Sequence, residues 1–229
     1  MTTSPLTRRS FLRVVGAGGA AVVMSAASTS AWGAAGEKSL RAYVLVVDGC
    51  KPEEITPDVT PRLHQLRTDG TSYPNARSLP VMETIPNHVM MMSGVRPDRS
   101  GVPANSVHDR AAGAVRNLDQ PSDLGAATLL DRLRGTGQVT GSVLSKEYLY
   151  GIFGERASVR WEPQPVVPVS GHAPDAATVD ALKSMIDSAD PDLVFVNLGD
   201  VDRLAQAVAV GDNDPYTAAE QLFAVPAQP

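Results

Sequence analysis

Two short apolar runs that each close on acidic residues limit most sharply what this chain can fold into. Val44-Leu45-Val46-Val47 leads straight into Asp48-Gly49, and Leu193-Val194-Phe195-Val196-Asn197-Leu198 leads into Gly199-Asp200-Val201-Asp202. Runs of this length with almost no polar residue read as strands buried on both faces, as in parallel sheets. Val139 to Leu144 reads as a further buried strand. Helical patterns lie between these runs. Thr60 and Pro61 suit the cap and first position of a helix that Gly70 ends. A second helix starts at Thr84-Ile85-Pro86-Asn87-His88 and stops at Gly94, and a third spans about Leu124 to Leu133. From Asp175 to Asp187, Val179, Leu182, Met185 and Ile186 share one face behind an Asp cap. Ser78 to Glu83 reads as a loop and Val95 to Gly113 as a long connection. Strands alternating with helices predict an α/β fold with a mostly parallel central sheet flanked by helices. Ligands of such sheets gather beyond the carboxyl ends of the strands, which puts Asp48, Asp200 and Asp202 along one edge.

A carboxylate at the end of a buried strand is held rigidly and partly stripped of water, which suits a hard cation or zinc. The other reading of Asp48 is a loop acid capping the Gly49 turn. Thr84 stands where an N-cap stands, at the positive end of its helix, where an anion is welcome. Its hydroxyl is a poor nucleophile at neutral pH and becomes a good one when a cation stabilises the alkoxide. Threonine is also a common cap for structural reasons alone.

The first residues address the protein. Arg8 and Arg9 precede an uncharged Gly/Ala/Val-rich run, Val14 to Ala27, shorter than the roughly 20 apolar residues of a membrane span. Small residues follow, with Thr29-Ser30-Ala31 and Ala31-Trp32-Gly33 as cleavage candidates. We read residues 1–35 as a twin-arginine-type signal peptide and residues 36–229 as one domain. The expected location is therefore the periplasm or the extracellular space, with no stable membrane span. Without Arg8, Arg9 and Arg13, 17 basic residues face 25 acidic ones, a formal charge of −8. Such a surface disfavours nucleic acid polymers and anionic membranes. The single cysteine, Cys50, makes no internal disulfide and reads as a small buried residue.

Taken together, Val46-Val47-Asp48-Gly49, Thr60-Pro61-Arg62-Leu63, Thr84-Ile85-Pro86-Asn87-His88, Ser93-Gly94-Val95-Arg96-Pro97-Asp98, Ser100-Gly101-Val102 and Asp200-Val201-Asp202 resemble one family. It is the type I phosphodiesterase/nucleotide pyrophosphatase family of the alkaline phosphatase superfamily, and the resemblance covers about Leu40 to Gln206. It implies an alkaline-phosphatase-like sheet and hydrolysis of a small-molecule phosphate ester through a phospho-threonine intermediate at two zinc ions. Carried over by position, Thr84 is the nucleophile and Asn87 donates to a phosphate oxygen. Asp48 and Thr84 would bind one metal, and Asp202 the other. Sulfatases share the layout but carry Cys or Ser at the position of Thr84 and arginine at that of His88.

The chain departs from the family pattern in three places. The family's Asp-x-x-Gly-His motif becomes Asp202-Arg203-Leu204-Ala205-Gln206, with a neutral amide where an imidazole would stand. The later Asp-His pair has no counterpart, because no histidine follows His172. The segment Pro215 to Phe223 begins like a helix and runs into Pro226 and Pro229, which reads as a shortened product lacking the last strands. Of the four histidines, His64 reads as a helix-face residue, His88 as structural, and His108 and His172 as loop residues. Tyr148, Tyr150 and Phe153, in an expected loop from Lys146 to Gly154, read as core packing or as pocket walls. Three expectations follow: a metal-dependent phosphoric ester hydrolase, a non-catalytic remnant or phosphate-binding pseudoenzyme, or a subunit completed by another chain. This ligand inventory favours little turnover by the chain alone.

Overall fold

A computed structural model describes residues 40–164 and 172–209. The expected signal segment and the helix-like pattern from Pro215 lie outside the described residues. Four strands, β1 (Ala42–Val47), β4 (Thr140–Leu144), β5 (Val159–Trp161) and β6 (Leu193–Leu198), form one sheet. Their order is β1-β6-β4-β5 and every neighbouring pair is parallel. Val44 lies opposite Phe195 and Val46 opposite Asn197, so the ends of β1 and β6 are level. Four short helices come early: α1 (Pro61–Asp69), α2 (Thr84–Ser93), α3 (Pro97–Ser100) and α4 (Leu129–Arg134). Three more, α5 (Glu147–Phe153), α6 (Asp175–Ala189) and α7 (Asp200–Ala209), follow β4, precede β6 and follow β6.

The sheet separates two apolar layers. On one side Ile85, Val89 and Met92 of α2, Leu130 of α4 and Leu149, Ile152 and Phe153 of α5 pack with Leu144, Leu193 and Phe195. Phe153 and Phe195 meet edge to face with ring centroids 5.2 Å apart. On the other side Met185, Ala181 and Leu182 of α6 pack with Val143, Val194 and Val196. Both faces of β4 and β6 are therefore covered, which explains the nearly unbroken apolar run of β6 and the full burial of β4. A helix–sheet–helix sandwich results, as expected.

Several local expectations change. β1 is an edge strand among the described residues, and its face carrying Tyr43 (46 % exposed) and Leu45 (45 %) is open, so it is not buried on both sides. The long connection after Gly94 holds α3 and an antiparallel hairpin, β2 (Ser106–Asp109) with β3 (Ala114–Asn117). His108 is therefore a strand residue. The third helix begins at Leu129 rather than near Leu124. Thr128 and Asp131 form its capping box, Thr128 Oγ1 accepting from the Asp131 N–H at 3.3 Å and Asp131 Oδ2 from the Thr128 N–H at 2.8 Å. The expected loop from Lys146 is helix α5, with Leu149, Ile152 and Phe153 buried. Among the described residues no helix is long and apolar enough to cross a membrane.

Candidate active site

Three strand ends and one helix start meet at the carboxyl edge of the sheet. β1 delivers Asp48, β4 delivers Lys146 two residues past its end, and α7 presents Asp202 in its first turn after β6. The Lys146 side chain is fully buried, and its Nζ lies 2.6 Å from Asp48 Oδ2 and 2.6 Å from Asp202 Oδ2. Gln206, one turn along α7, donates from Nε2 to Asp202 Oδ2 at 2.9 Å. Close approach of β1 and α7 needs Gly49, whose φ is +78° and whose α-carbon faces the Asp202 backbone. A β-carbon there would stand 2.6 Å from Asp202 Cα.

Burial alone would raise the Asp48 carboxyl, but the Lys146 ammonium outweighs it and holds the group below the ordinary carboxylate range. Burial would likewise lower the lysine. The Tyr148 oxygen and the two carboxylates that face it instead keep it above the ordinary ammonium range. Tyr148 lies beside both Lys146 and Thr84, its ring centroid 5.8 Å from Lys146 Nζ, and burial pushes its phenol up.

Thr84 is the first residue of α2, and Glu83 holds the cap position expected for it. The adjacent Ile85 N–H donates to Asn105 Oδ1 at 2.7 Å, and Glu83 accepts from the Asn105 N–H. The helix start is thus fastened to the loop before β2. His88 is structural, as expected, and its contacts say how. Nδ1 donates to the Thr84 carbonyl at 2.8 Å, while Nε2 accepts from Asn197 Nδ2 at 3.1 Å. Asn197 Oδ1 in turn accepts from Ser145 Oγ at 2.9 Å. Burial holds the His88 pKa down, consistent with the neutral tautomer this chain of bonds requires. Asn87 spends its amide on the loop ahead of it. Oδ1 accepts from the Leu79 N–H at 2.9 Å, and Nδ2 donates to the carbonyls of Val81 and Glu83, each at 2.8 Å.

A cleft of about 740 Å³ opens over these groups. Asp48, Gly49, Thr84, Asn87, Asp202 and Gln206 line it. The volume suits a small molecule. Cys50 is half-buried on its wall rather than fully buried, and burial followed by Glu54 raises its thiol. The four residues singled out from the sequence, Asp48, Thr84, Asn87 and Asp202, therefore share one cleft. Lys146 was not singled out, although a lysine two residues past a buried strand follows the positional rule that marked Asp48; Tyr148, expected as core packing or a pocket wall, stands beside it.

Asp200 and Asp175 stand behind the site. The Asp175 carboxylate accepts from the N–H groups of Gly199 (2.7 Å) and Asp200 (3.2 Å), and Asp200 Oδ2 accepts from the Asp175 N–H (3.0 Å). Asp175 thus caps α7 rather than its own helix, and each helix start is closed by the other's acid. Burial, then the charge of Asp200, pushes the Asp175 carboxyl up to about 6. His172, expected in a loop, forms an isolated bridge with Lys146. Its ring stands edge-on to Tyr148, and burial lowers it to about 4.

The model of the family described as type I phosphodiesterase/nucleotide pyrophosphatase matches residues 42–221. No curated protein sequence matches the chain significantly. Among solved structures, phosphonoacetate hydrolase from Sinorhizobium meliloti 1021 in complex with phosphonoformate superposes with a TM-score of 0.60 at 18 % identity, over 80 % of this chain and 51 % of that one. An inactive variant of murine ectonucleotide pyrophosphatase/phosphodiesterase 5 in complex with AMP gives 0.61 at 16 % identity, over 79 % and 48 %. The chain spans about half the length of these structures. At such identities the superpositions speak for an alkaline-phosphatase-like fold, and the family match carries the assignment: the chain belongs to the type I phosphodiesterase/nucleotide pyrophosphatase family.

Proposed function

We propose that the chain is an exported phosphoric ester hydrolase whose cleft takes a small phosphate or phosphonate ester, with Thr84 as nucleophile and with slow turnover. One observation carries this reading: the Thr84 hydroxyl stands at the start of α2, beside Tyr148, in the cleft that Asp48 and Asp202 line. AMP and phosphonoformate, bound by the two structural relatives, define the class of ligand to try. The signal read in residues 1–35 supports export.

The family's two zinc ions do not fit the residues present. Among the described residues no group of three or more His, Cys, Asp or Glu side chains could hold a metal ion. The two carboxylates that converge already share an ammonium. Thr84 Oγ attacks phosphorus, the P–O bond to the leaving alcohol breaks, and the hydroxyl proton ends on that alcohol. Water then cleaves the phospho-threonine and restores the hydroxyl. His88 and Asn105 keep the helix start in place for both steps, and Asn87 orders the loop that borders the cleft.

Turnover is slow because the cleft is poor in positive charge. Asp48, Asp202 and Glu83 face it against the exposed Lys51, which stands 4.0 Å from Glu54, and the buried ammonium of Lys146 is consumed by the two aspartates. Developing negative charge on the phosphoryl group meets little compensation. That same observation favours the second reading, a phosphate-ester-binding protein without turnover. Hydrolysis of a nitrophenyl phosphodiester by the purified chain separates these readings. We expect weak hydrolysis that Thr84→Ala abolishes. Hydrolysis that survives Thr84→Ala removes the threonine from the mechanism. Binding of AMP with no hydrolysis establishes the second reading, and robust turnover lost in Thr84→Ala refutes the slow site.

A further inference from the structure

A lysine with no exposed surface, wedged between two carboxylates at the base of a cleft, calls for an account that the family chemistry does not give. Lys146 Nζ is 2.6 Å from one oxygen of Asp48 and 2.6 Å from one of Asp202, so those oxygens are held close across a single nitrogen. Their side chains are only 17 % and 16 % exposed, which leaves little water to screen their repulsion. The ammonium is anchored from behind as well, because the Lys146 backbone bridges to His172 and its stem lies against Gly199, where a β-carbon would stand 3.4 Å from Lys146 Cε. Gln206, standing where an imidazole would complete a metal site, donates to Asp202 and so behaves as a partner of a carboxylate rather than as a ligand.

We propose that Lys146 is the resident cation of this site: its ammonium joins Asp48 to Asp202 and excludes a divalent metal from the position between them. A zinc ion bound by both oxygens would sit about 2.0–2.2 Å from each, in the space Nζ fills. Ion and ammonium are therefore mutually exclusive. The arrangement gives one positive charge where a divalent ion would give two, fixed by a covalent stem and independent of metal supply. The inference rests on the cleft being the family's phosphoryl site, but its test reads metal and amine chemistry rather than hydrolysis. The two can therefore fail separately.

Equilibrium dialysis of the full chain against zinc alone is the first measurement. We expect no zinc at this site in the wild type. Lys146→Ala, which removes the charge and vacates the space that Nζ fills, should bind zinc between the two carboxylates with affinity raised about 100-fold or more over the wild type, still a weak site because only Asp48 and Asp202 hold it. The added asparagine in Lys146→Ala/Asp48→Asn should abolish that uptake, which also accounts for zinc held elsewhere. Zinc bound by the wild type as tightly as by folded Lys146→Ala overturns the proposal, and so does a folded Lys146→Ala that gains none. Should Lys146→Ala fail to fold, amine acetylation of the wild type read by mass spectrometry decides. The chain has four lysines: Lys38, Lys51, Lys146 and Lys183. We expect Lys146 to resist labelling in the folded chain with or without zinc, and to label once the chain is unfolded. Labelling of Lys146 at the rate of Lys51, or its release by zinc, overturns the proposal.

Discussion

Gly49→Ala tests whether the approach of β1 to α7 builds the site. Gly49 and Gly94 have nearly the same backbone, φ +78° and +72°. Alanine in this left-handed region costs about 1–2 kcal/mol. The variant regains about 0.4–1 kcal/mol by narrowing the unfolded chain's freedom. Gly94 ends α2 with nothing within 4 Å of an added β-carbon, so Gly94→Ala should lose about 1 kcal/mol in net terms. At Gly49 the added methyl would stand 2.6 Å from Asp202 Cα and 2.8 Å from Asp202 N. Both are backbone atoms and cannot swing aside, so the upper part of the about 1–3 kcal/mol range for overpacking applies. Gly49→Ala should therefore lose roughly 3–4 kcal/mol, about 2–3 kcal/mol more than Gly94→Ala. Urea unfolding midpoints of the two variants, at an unchanged slope, give the difference directly. Equal losses within about 0.5 kcal/mol would mean that the Gly49–Asp202 contact is not tight, and the packing argument would fall.

Three further outcomes follow from polar groups that are wholly or partly buried. Asp175 is raised from 3.8 to about 6, so between those values the folded chain holds a proton that the unfolded chain has lost. Its contribution to stability is present below pH 4 and is lost as pH rises through 6. The drop in urea midpoint from pH 4.5 to 7 should thus be larger in wild type than in Asp175→Asn, and equal drops would contradict the assignment. His172 works in the opposite sense: lowered from 6.5 to about 4, it contributes stability above 6.5 that is lost as pH falls toward 4. Its ring protons should show no NMR titration step between pH 8 and 5, and a midpoint near 6.5 would show that the ring is not buried. Arg156 bonds Asp131 Oδ2 at 2.9 Å and the carbonyls of Pro121 (2.8 Å), Leu124 (3.1 Å) and Ile152 (3.2 Å). Lysine cannot reproduce that fork, so Arg156→Lys should lose about 2–3 kcal/mol in the same urea assay, whereas a loss under about 0.5 kcal/mol would refute the linking role.

β6 was legible because burial on both faces leaves a nearly unbroken apolar run, and β4, although it carries Thr140 and Ser142, falls within the strand expected from Val139 to Leu144. The meeting of Asp48 and Asp202 was legible for the same reason, since parallel strands place their carboxyl ends together. The edge position of β1 was not, because Ala42–Val47 is as apolar as a central strand and only the strand order exposes Tyr43 and Leu45. The β2–β3 hairpin escaped notice because its four-residue strands are polar and its second strand is exposed throughout, so no alternation marks them. Helix α5 is only seven residues long and carries Gly151, too short for a helical period to declare itself. Lys146 was not legible as a site residue because metal ligands are acids, imidazoles and thiols. An ammonium is the wrong chemistry for a ligand and the right one for the ion's place.

The placement of Thr84 depends on a route through the sheet that no single motif contains. Asn197 lies opposite Val46 in the register of β1 and β6, and its amide reaches the His88 ring. That ring passes the constraint to the Thr84 carbonyl, while Ser145 holds the other end of the same amide. Ser145 immediately precedes Lys146, so one chain of bonds ties the backbone of the helix start to the segment that carries the ammonium. A neutral His88 is required throughout, since a protonated Nε2 would point a proton at the Asn197 amide protons. The bonds that hold the start of α2 are therefore made among the described residues, whereas the Lys146 ammonium in the site of the proposed nucleophile is already shared by two carboxylates. Positioning and activation are separable here, because the first is built from bonds between β6, β4 and α2 and the second depends on what stands between Asp48 and Asp202.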